Sequence, residues 1–177
     1  KYGIRRYGFH GASHRWAAER AAELTGRSDL RLISCHLGGS SSINATRGLT
    51  SLDNSFGLSP QSGLIQSGRP GDIDPIIPIW MIEELGMTTE EVRRTLSSES
   101  GLKGLSGISG EMKDILAAAA STQLPAETVH RARLAADAYA YQVRKGIGAA
   151  AVVLGGMDCL VFTVGIGERS AELRRLI

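Results

Sequence analysis

The sequence predicts an α/β domain in which several helices surround a sheet. Two transitions from strand to turn to helix support this class, one near each end of the chain. The largest predicted helix is an alanine-rich stretch with helical spacing, residues 126–151. An apolar strand that runs into a glycine turn and a helix is typical of nucleotide-binding corners, because a helix amino terminus presents free backbone amides.

The composition indicates a globular protein. The 177 residues are 42% hydrophobic and 21% charged, which fits one ordinary domain. The 20 lysines and arginines are scattered among 18 acidic residues and form no basic stripe that would bind nucleic acid. The apolar run of residues 147–157 contains three glycines and is shorter than the roughly 20 residues of a membrane span. We therefore expect neither nucleic-acid nor membrane binding.

The cysteines and the chain ends suggest a compartment and a context. Cys35 and Cys159 lie in apolar strand-like runs, which favours reduced, buried thiols in a cytoplasmic protein. The sequence opens on Lys1 without a signal pattern and closes on Ile177 inside a helical pattern. We therefore expect it to be a piece of a longer chain.

The predicted elements alternate between strands and helices. Ser13 is expected to cap the first helix, and Gly26 to end it in the left-handed conformation. Residues 53–74 carry glycines, prolines and serines with little periodicity, which predicts a long loop that serves a site. In chain order we expect a strand at 2–9, a helix at 13–24, a strand at 30–35, a hairpin at 41–52, helices at 75–85, 89–96, 111–121 and 126–151, a strand at 159–164 and a helix at 169–177.

The first motif, Phe9-His10-Gly11-Ala12-Ser13-His14, places two histidines four residues apart at a helix start. A shared metal ion is one interpretation, weakened because His10 precedes the expected cap. The other is that His10 meets a phosphoryl group, since a ring N–H beside free backbone amides can receive negative charge. Composition favours the second interpretation.

The second motif is the turn His36-Leu37-Gly38-Gly39-Ser40-Ser41-Ser42 after a predicted strand. Its glycines let the backbone approach an anion, and its hydroxyls and amides offer donors. A plain hairpin turn has the same composition, so both interpretations stand. The lysine pattern of a P-loop is absent, so a phosphate here would also need remote cations.

The third motif is the segment 67–75, where Arg69 stands among glycines and proline in a loop with no other positive charge. A guanidinium there can place a planar fork on a carboxylate or a phosphoryl oxygen. Asp72 and Asp74 are candidate metal ligands. We prefer a capping role for Asp74, because it directly precedes Pro75 and a predicted helix.

The fourth motif is Gly165-Ile166-Gly167-Glu168, which follows the apolar strand at 159–164. The glycines leave room for a nucleoside lying across the turn. A Gly-x-Gly taken singly is a weak signal, so this motif gains weight only from the other three.

In this order and spacing, the four segments resemble the acetate kinase family from Tyr2 to Leu176. The resemblance implies a ribonuclease H-like domain of the acetate and sugar kinase, Hsc70 and actin-type superfamily, with a mixed sheet flanked by helices. Residues 1–177 would form most of the second, carboxyl-terminal domain, and the first domain would be absent. The implied activity is reversible transfer of phosphate from ATP to acetate or another short carboxylate, giving ADP and an acyl phosphate, in a homodimeric full-length protein.

The resemblance also implies roles for individual residues. His10 matches a residue that stabilises the transition state, and Arg69 matches one that stabilises the moving phosphoryl group and orients the carboxylate. Phe9 and Pro60 match residues of the acyl pocket. The residues implied in nucleotide binding are His36, Leu37, Gly38, Gly39 and Ser40 in the phosphate turn, Glu111, Met112 and Lys113 in a nucleotide triplet, and Gly165, Ile166, Gly167, Glu168 and Arg169 in an adenosine loop.

Four positions depart from the family pattern and leave alternatives open. Gly39 stands where most members carry asparagine and butyrate kinases often carry glycine, so a butyrate kinase-like preference is one alternative. Glu111 and Lys113 stand where aspartate and arginine are usual, and Arg169 stands where asparagine is usual. These departures favour a different phosphoryl donor or a non-catalytic nucleotide-binding module of the same fold.

Several parts of the implied active site would lie outside residues 1–177. These are an amino-terminal phosphate motif, a catalytic aspartate, a substrate-binding arginine and a magnesium-binding glutamate. Phosphoryl transfer needs Mg²⁺ and other cations around the moving group. We therefore expect the segment by itself to be inactive, and to expose an apolar face that promotes aggregation or dimerisation.

Overall fold

Residues 1–177 form four strands and eight α-helices in the computed structural model. No helix is both long enough and apolar enough to cross a bilayer. The elements are α1 Gly11–Thr25, β1 Arg31–Leu37, β2 Ser41–Arg47, β3 Thr50–Asn54, α2 Ile76–Glu83, α3 Thr89–Arg94, a π-helical turn Thr95–Glu99, α4 Gly101–Ser106, α5 Met112–Ala119, α6 Ala126–Leu154, β4 Cys159–Thr163, α7 Val164–Arg169 and α8 Ala171–Leu176.

The sheet is mixed, with the strand order β3-β2-β1-β4. β1 pairs antiparallel with β2, and β2 pairs antiparallel with β3 through an irregularity after Ala45. β4 lies parallel to β1, so that Leu32 faces Cys159 and His36 faces Thr163. The carboxyl ends of β1 and β4 therefore meet at one edge of the sheet, which is also where β2 begins.

The two faces of the sheet are covered differently. Ile33, Cys35 and Leu37 are fully buried in the main core, together with alanines and Tyr139 of α6. The next side chain along β1 points the other way, because side chains alternate along a strand. Leu32 accordingly belongs to a small separate cluster with Ala21 and Leu30, under α1.

The strand expected at residues 2–9 is absent, and that prediction is wrong. The segment forms no regular structure, and Tyr2, Ile4 and Tyr7 are exposed. Residues with strand propensity form a strand only where a neighbouring strand offers its backbone groups and packing. No such neighbour accepts this segment within residues 1–177.

The cap expected at Ser13 is also wrong, whereas the stop at Gly26 is confirmed. α1 begins at Gly11, and its N-cap is His10 in the left-handed region, with φ 57° and ψ 34° and no side-chain cap. Gly26 ends the helix with φ 68°. Ser13 lies inside the first turn, where its hydroxyl contacts another element instead of its own backbone.

The remaining predictions hold except near two glycine-rich stretches, residues 101–104 and 165–167, both of which lie in helices. The hairpin, the long loop, the helix α6 and the strand β4 all form close to their expected bounds. Helix α4 was not expected, because Gly101 and Gly104 disfavour a helix. Gly101 has φ 60°, and an added Cβ would collide with the Gln66 carbonyl oxygen. Close backbone approach therefore explains that glycine.

Candidate active site

The predicted segments lie together at the edge where β1 and β4 end. The Val164 side chain lies 3.1 Å from the position that a Cβ on Gly38 would take, so the phosphate turn abuts the start of α7. On its other side the same turn is tied to the Arg69 loop, since the Ser67 backbone N–H donates to the Gly39 carbonyl at 3.1 Å. Sheets of this class bind ligands at the carboxyl ends of their parallel strands.

Two histidines stack at this edge. The rings of His10 and His36 have centroids 3.8 Å apart and planes 18° apart, and Phe56 lies 5.0 Å from the His10 ring. Burial lowers the pKa of His10 to about 4, helped by the nearby charges of His36 and Arg69. Burial also lowers the pKa of His36. Both rings are therefore neutral near pH 7, and each can donate one N–H.

The amino end of α1 adds backbone donors beside His10. Because His10 occupies the N-cap without a side-chain cap, the N–H groups of Gly11, Ala12 and Ser13 have no acceptor in the helix. A left-handed histidine is uncommon but tolerated, and such residues cluster at functional sites. The expected juxtaposition of His10 with a helix amino end is present, and its catalytic role stays a prediction.

His14 is not available as a metal ligand with His10. It is 4% exposed, its Nδ1 lies 2.7 Å from Ser34 Oγ, and its Nε2 lies 2.8 Å from Ser42 Oγ. Both ring nitrogens are thus occupied. Burial lowers the pKa of His14 to about 3. The structure contains no group of three or more His, Cys, Asp or Glu side chains placed to hold a metal ion.

Gln66 links the phosphate turn to Arg69, and the sequence did not reveal it. Its Oε1 accepts from Ser40 Oγ at 2.8 Å and from the Ser41 backbone N–H at 3.3 Å. Its Nε2 donates to the Pro60 carbonyl at 2.7 Å, which also accepts from Arg69. The Gln66 side chain is fully buried, so its own hydrogen bonds are shielded from water, whereas the bond between Arg69 and Pro60 is exposed. The only sequence feature that could have indicated this role is that Gln66 lies three residues before the candidate Arg69.

The two aspartates of the Arg69 loop bind backbone groups. Asp72 Oδ1 accepts from the Gly63 N–H at 2.7 Å and Asp74 Oδ1 accepts from the Ile76 N–H at 2.9 Å. The formal N-cap of α2 is Pro75, yet the Asp74 carboxylate satisfies the first free amide, as a capping residue does. These contacts favour the structural interpretation of both residues over metal binding.

A cavity of about 690 Å³ lies between the nucleotide triplet, residues 111–113, and the predicted adenosine loop, residues 165–169. Its volume lies within the range of small-molecule sites. Gly165 and Gly167 lie in helix α7 rather than in an open loop; Gly167 is buried against Phe162 and Leu37. The predicted residues that line the cavity are Glu111, Met112, Lys113, Gly165, Ile166 and Arg169.

Val164 is a strained residue that the sequence did not single out. It has φ 68°, which a β-branched side chain rarely adopts, and its backbone N–H donates to Glu168 Oε1 at 2.7 Å. Glu168 therefore holds the first turn of α7 rather than facing the cavity. The Val164 side chain lies against Gly38, so this strained residue stands between the cavity and the phosphate turn.

The structure does not bring the two predicted acyl-pocket residues into one cavity. Phe9 lines a small cavity of about 90 Å³ with His14 and Asn44, whereas Pro60 is exposed and lies outside it. Phe56 is the aromatic residue that contacts His10. The acyl-pocket roles of Phe9 and Pro60 therefore stay predictions.

Solved structures define the class of fold. The chain superposes on the crystal structure of Porphyromonas gingivalis acetate kinase with a TM-score of 0.90 at 37% identity, covering 98% of this chain and 43% of that one. The corresponding values are 0.89, 35%, 99% and 44% for a propionate kinase from Francisella tularensis, and 0.90, 39%, 97% and 44% for acetate kinase from Entamoeba histolytica. The fold is thus the ribonuclease H-like domain of the acetate and sugar kinase, Hsc70 and actin-type superfamily.

The chain belongs to the acetokinase family, because the family model described as "Acetokinase family" matches residues 1–177. The acetate kinase of Bacillus subtilis strain 168 is 45% identical over 179 aligned residues, covering 100% of this chain and 44% of that protein. The acetate kinase of Dictyoglomus turgidum is 46% identical, with 100% and 43% covered. The chain thus spans less than half the length of the curated relatives that it matches.

Proposed function

We propose that the full-length protein containing this chain is an acetate kinase-type phosphotransferase. It transfers phosphate reversibly between ATP and acetate or another short carboxylate, by direct in-line transfer, and it acts in the cytoplasm. The observation that carries this proposal is the juxtaposition of His10, Arg69 and the amino end of α1 with the phosphate turn, beside a cavity of nucleoside size. Family membership supports the same activity.

In-line phosphoryl transfer needs positioning and charge stabilisation more than covalent chemistry by the protein. His10 donates a ring N–H, Arg69 donates from its guanidinium, and the free amides of α1 complete the set of donors. Burial lowers the pKa of Arg69, yet it remains a cation far above neutral pH. Mg²⁺ supplies further charge stabilisation when bound, and its protein ligands lie outside these residues.

The nucleotide occupies the cavity along α5 and α7 in this proposal. Glu111, Lys113 and Arg169 stand at its rim as exposed charged residues, and Gly165 leaves its floor open. His36, Leu37, Gly38, Gly39 and Ser40 lie between this cavity and Arg69, where the phosphates would extend. ATP is the donor that the family implies, and the departures at the rim make donor preference the first property to measure.

We also propose that the chain is the second domain of the full-length protein, which forms a homodimer. Helix α2 supports this proposal, because its side chains Ile76, Ile79 and Trp80 are each more than 45% exposed. Another domain or subunit would cover this apolar face. Soluble proteins rarely leave such a contiguous apolar patch uncovered.

A butyrate kinase-like preference is the alternative that Gly39 leaves open, although the relatives and solved structures that match are acetate and propionate kinases and do not favour it. Ser67 Oγ lies 3.3 Å from the position of an added Cβ on Gly39, and Ser67 Oγ has no hydrogen-bond partner in the chain. A larger residue at 39 would therefore contact this hydroxyl. Discrimination by one or two methylenes amounts to only about 1–3 kcal/mol, so rates with acetate, propionate and butyrate decide between the candidates.

The test is the Arg69→Ala variant of the full-length protein, assayed by trapping the acyl phosphate as a hydroxamate. We expect turnover to fall roughly 10²–10³-fold while the KM for the donor changes little, because the lost bonds strengthen in the transition state. Arg69→Lys should recover little activity, since it keeps the charge but loses the planar fork.

Arg133→Ala is the matched control. Arg133 also donates to a backbone carbonyl, that of Ala119 at 2.9 Å, but it belongs to α6 and does not line the cavity. Near-native turnover of Arg69→Ala would contradict its assigned role. Absence of activity with every short carboxylate in the unaltered full-length protein would favour the non-catalytic nucleotide-binding alternative.

A further inference from the structure

A chain of hydrogen bonds runs from the interior of the sheet to His10. Ser34 Oγ lies 2.7 Å from His14 Nδ1, and His14 Nε2 lies 2.8 Å from Ser42 Oγ. The same Ser42 Oγ lies 2.8 Å from His10 Nδ1. Within this series of hydrogen bonds, His10 Nε2 is the only ring nitrogen without a protein partner. Four side chains from α1, β1 and β2 are thus joined in series.

The number of available hydrogens determines which group donates in each of these hydrogen bonds. Ser34 is fully buried, and its hydroxyl has His14 Nδ1 as its single partner. The hydroxyl must donate to that nitrogen, since a buried O–H without an acceptor is strongly disfavoured. A neutral imidazole carries one N–H, so His14 carries it on Nε2 and donates it to Ser42. The single hydrogen of Ser42 then goes to His10 Nδ1.

The opposite direction leaves one hydrogen unsatisfied. If His10 donated from Nδ1 to Ser42, Ser42 would donate to His14 Nε2, and His14 would donate from Nδ1 to Ser34. The Ser34 hydroxyl hydrogen would then have no acceptor in a fully buried position. Burial keeps His14 and His10 neutral near pH 7, which removes the third possibility of a doubly protonated ring.

A second chain reaches His36 in the same way. Thr163 is 5% exposed, and its Oγ1 has Ser13 Oγ, at 3.3 Å, as its only side-chain partner. Ser13 Oγ lies 2.8 Å from His36 Nδ1. Donation from Thr163 to Ser13, and from Ser13 to His36, satisfies every hydroxyl hydrogen and leaves the His36 proton on Nε2.

We propose that Ser34, His14 and Ser42 are positioning residues that hold His10 as its Nε2–H tautomer, and that Thr163 and Ser13 hold His36 likewise. The two stacked rings then each offer an N–H, rather than a lone pair, to an anionic phosphoryl group. A bare nitrogen in either place would repel the oxygens that an N–H stabilises. The catalytic use of these donors rests on the proposed function, whereas the tautomers follow from the hydrogen bonds and from the burial of the rings.

Ring ¹⁵N NMR of the full-length protein, labelled at histidine, tests the tautomer directly. We expect the His10 signals, assigned through their loss in His10→Gln, to show a bare Nδ1 and a protonated Nε2. A protonated Nδ1 and bare Nε2 would overturn the proposal. This measurement needs no activity, so an inactive protein would overturn the proposed function while the spectrum still decides the tautomer.

The variants Ser42→Ala and Ser34→Ala test the use of the tautomer in catalysis. We expect Ser42→Ala to lower kcat roughly 10–100-fold with little change in the donor KM. In other enzymes with a catalytic histidine, loss of the residue that fixes the tautomer lowers turnover strongly. Ser34→Ala should have a smaller effect of the same kind, and in both variants the ¹⁵N signals of His10 should shift towards a mixture of tautomers.

Ser55→Ala is the matched control, because Ser55 Oγ accepts from the Ile43 N–H of the same strand β2 but contacts no imidazole. It should leave kcat and the histidine spectrum unchanged. An unchanged His10 tautomer together with native kcat in both Ser34→Ala and Ser42→Ala would overturn the positioning role. If Ser42→Ala fails to fold, the spectrum of the unaltered protein and Ser34→Ala still decide it.

Discussion

The two faces of the sheet use the same strands for different purposes. On the α6 face, Ile33, Cys35 and Leu37 of β1 are buried among apolar side chains. On the α1 face, Ser34 and His36 of the same strand take part in hydrogen bonds that lead to the stacked histidines. One strand therefore contributes hydrophobic stabilisation on one face and site geometry on the other, because its side chains alternate.

The polar face continues away from the site along β2. Asn44 donates to Thr46 Oγ1 at 2.6 Å, and its Oδ1 accepts from Ser51 at 2.7 Å and from Asn54 at 3.0 Å. Asn44, Thr46 and Asn54 are buried, whereas Ser51 is exposed. Hydrogen bonds between buried side chains restrict their arrangement, so this part of β2 is a rigid support beside the histidines.

The largest expected effect comes from His10→Ala on the polar face. In the full-length protein, turnover should fall roughly 10²–10³-fold, because one donor to the transition state is lost. The free energy of unfolding should also fall, by about 1–3 kcal/mol, because the buried Ser42 hydroxyl loses its acceptor. Steady-state kinetics and a melting curve check this, with His130→Ala on the exposed side of α6 as the control. Equal losses in both variants would contradict the distinction.

The second effect is a loss of stability on mild acidification that originates on the polar face. The pKa of His14 is lowered in the folded state. As the pH decreases from 7 to 5, the unfolded chain therefore takes up more protons than the folded chain, and the free energy of unfolding decreases. For this buried residue the loss is about 1–2 kcal/mol. Asp158 and Glu91, whose pKa values are lowered, stay ionised throughout this interval.

Denaturant titrations of the full-length protein at pH 7 and pH 5 measure this loss. His14→Gln should reduce the difference between the two midpoints, whereas His130→Gln should preserve it. A difference that is unchanged in His14→Gln would show that the acid sensitivity has another origin.

The smallest effect is expected on the apolar face. Ile33→Val should lower the free energy of unfolding by about 0.5–1.5 kcal/mol, because it removes one methylene from a fully buried position. Turnover should stay native, since Ile33 faces α6. Its neighbour Ser34 faces α1, so Ile33→Val and Ser34→Ala together compare the two faces one residue apart. A loss of turnover in Ile33→Val would contradict the separation.

Local patterns in the sequence determined much of the architecture and the composition of the candidate site. Alternation and turn residues predicted the hairpin and β4, and helical spacing predicted α6, because these features depend on neighbours within a few residues. The segments around His10, His36, Arg69, Gly165 and Glu111 were also identifiable. Their roles stay predictions, although the structure places these segments along one edge of the sheet.

Only the tertiary structure decided which groups complete the site. Ser13 bonds to His36 and Thr163, which lie 23 and 150 residues further along the chain, instead of capping its own helix. Gln66 bridges two loops, and the segment 2–9 has no strand to join. A hydroxyl, an amide or a strand-forming segment has many local options, and the partner that it takes depends on which distant groups the fold brings within hydrogen-bond distance.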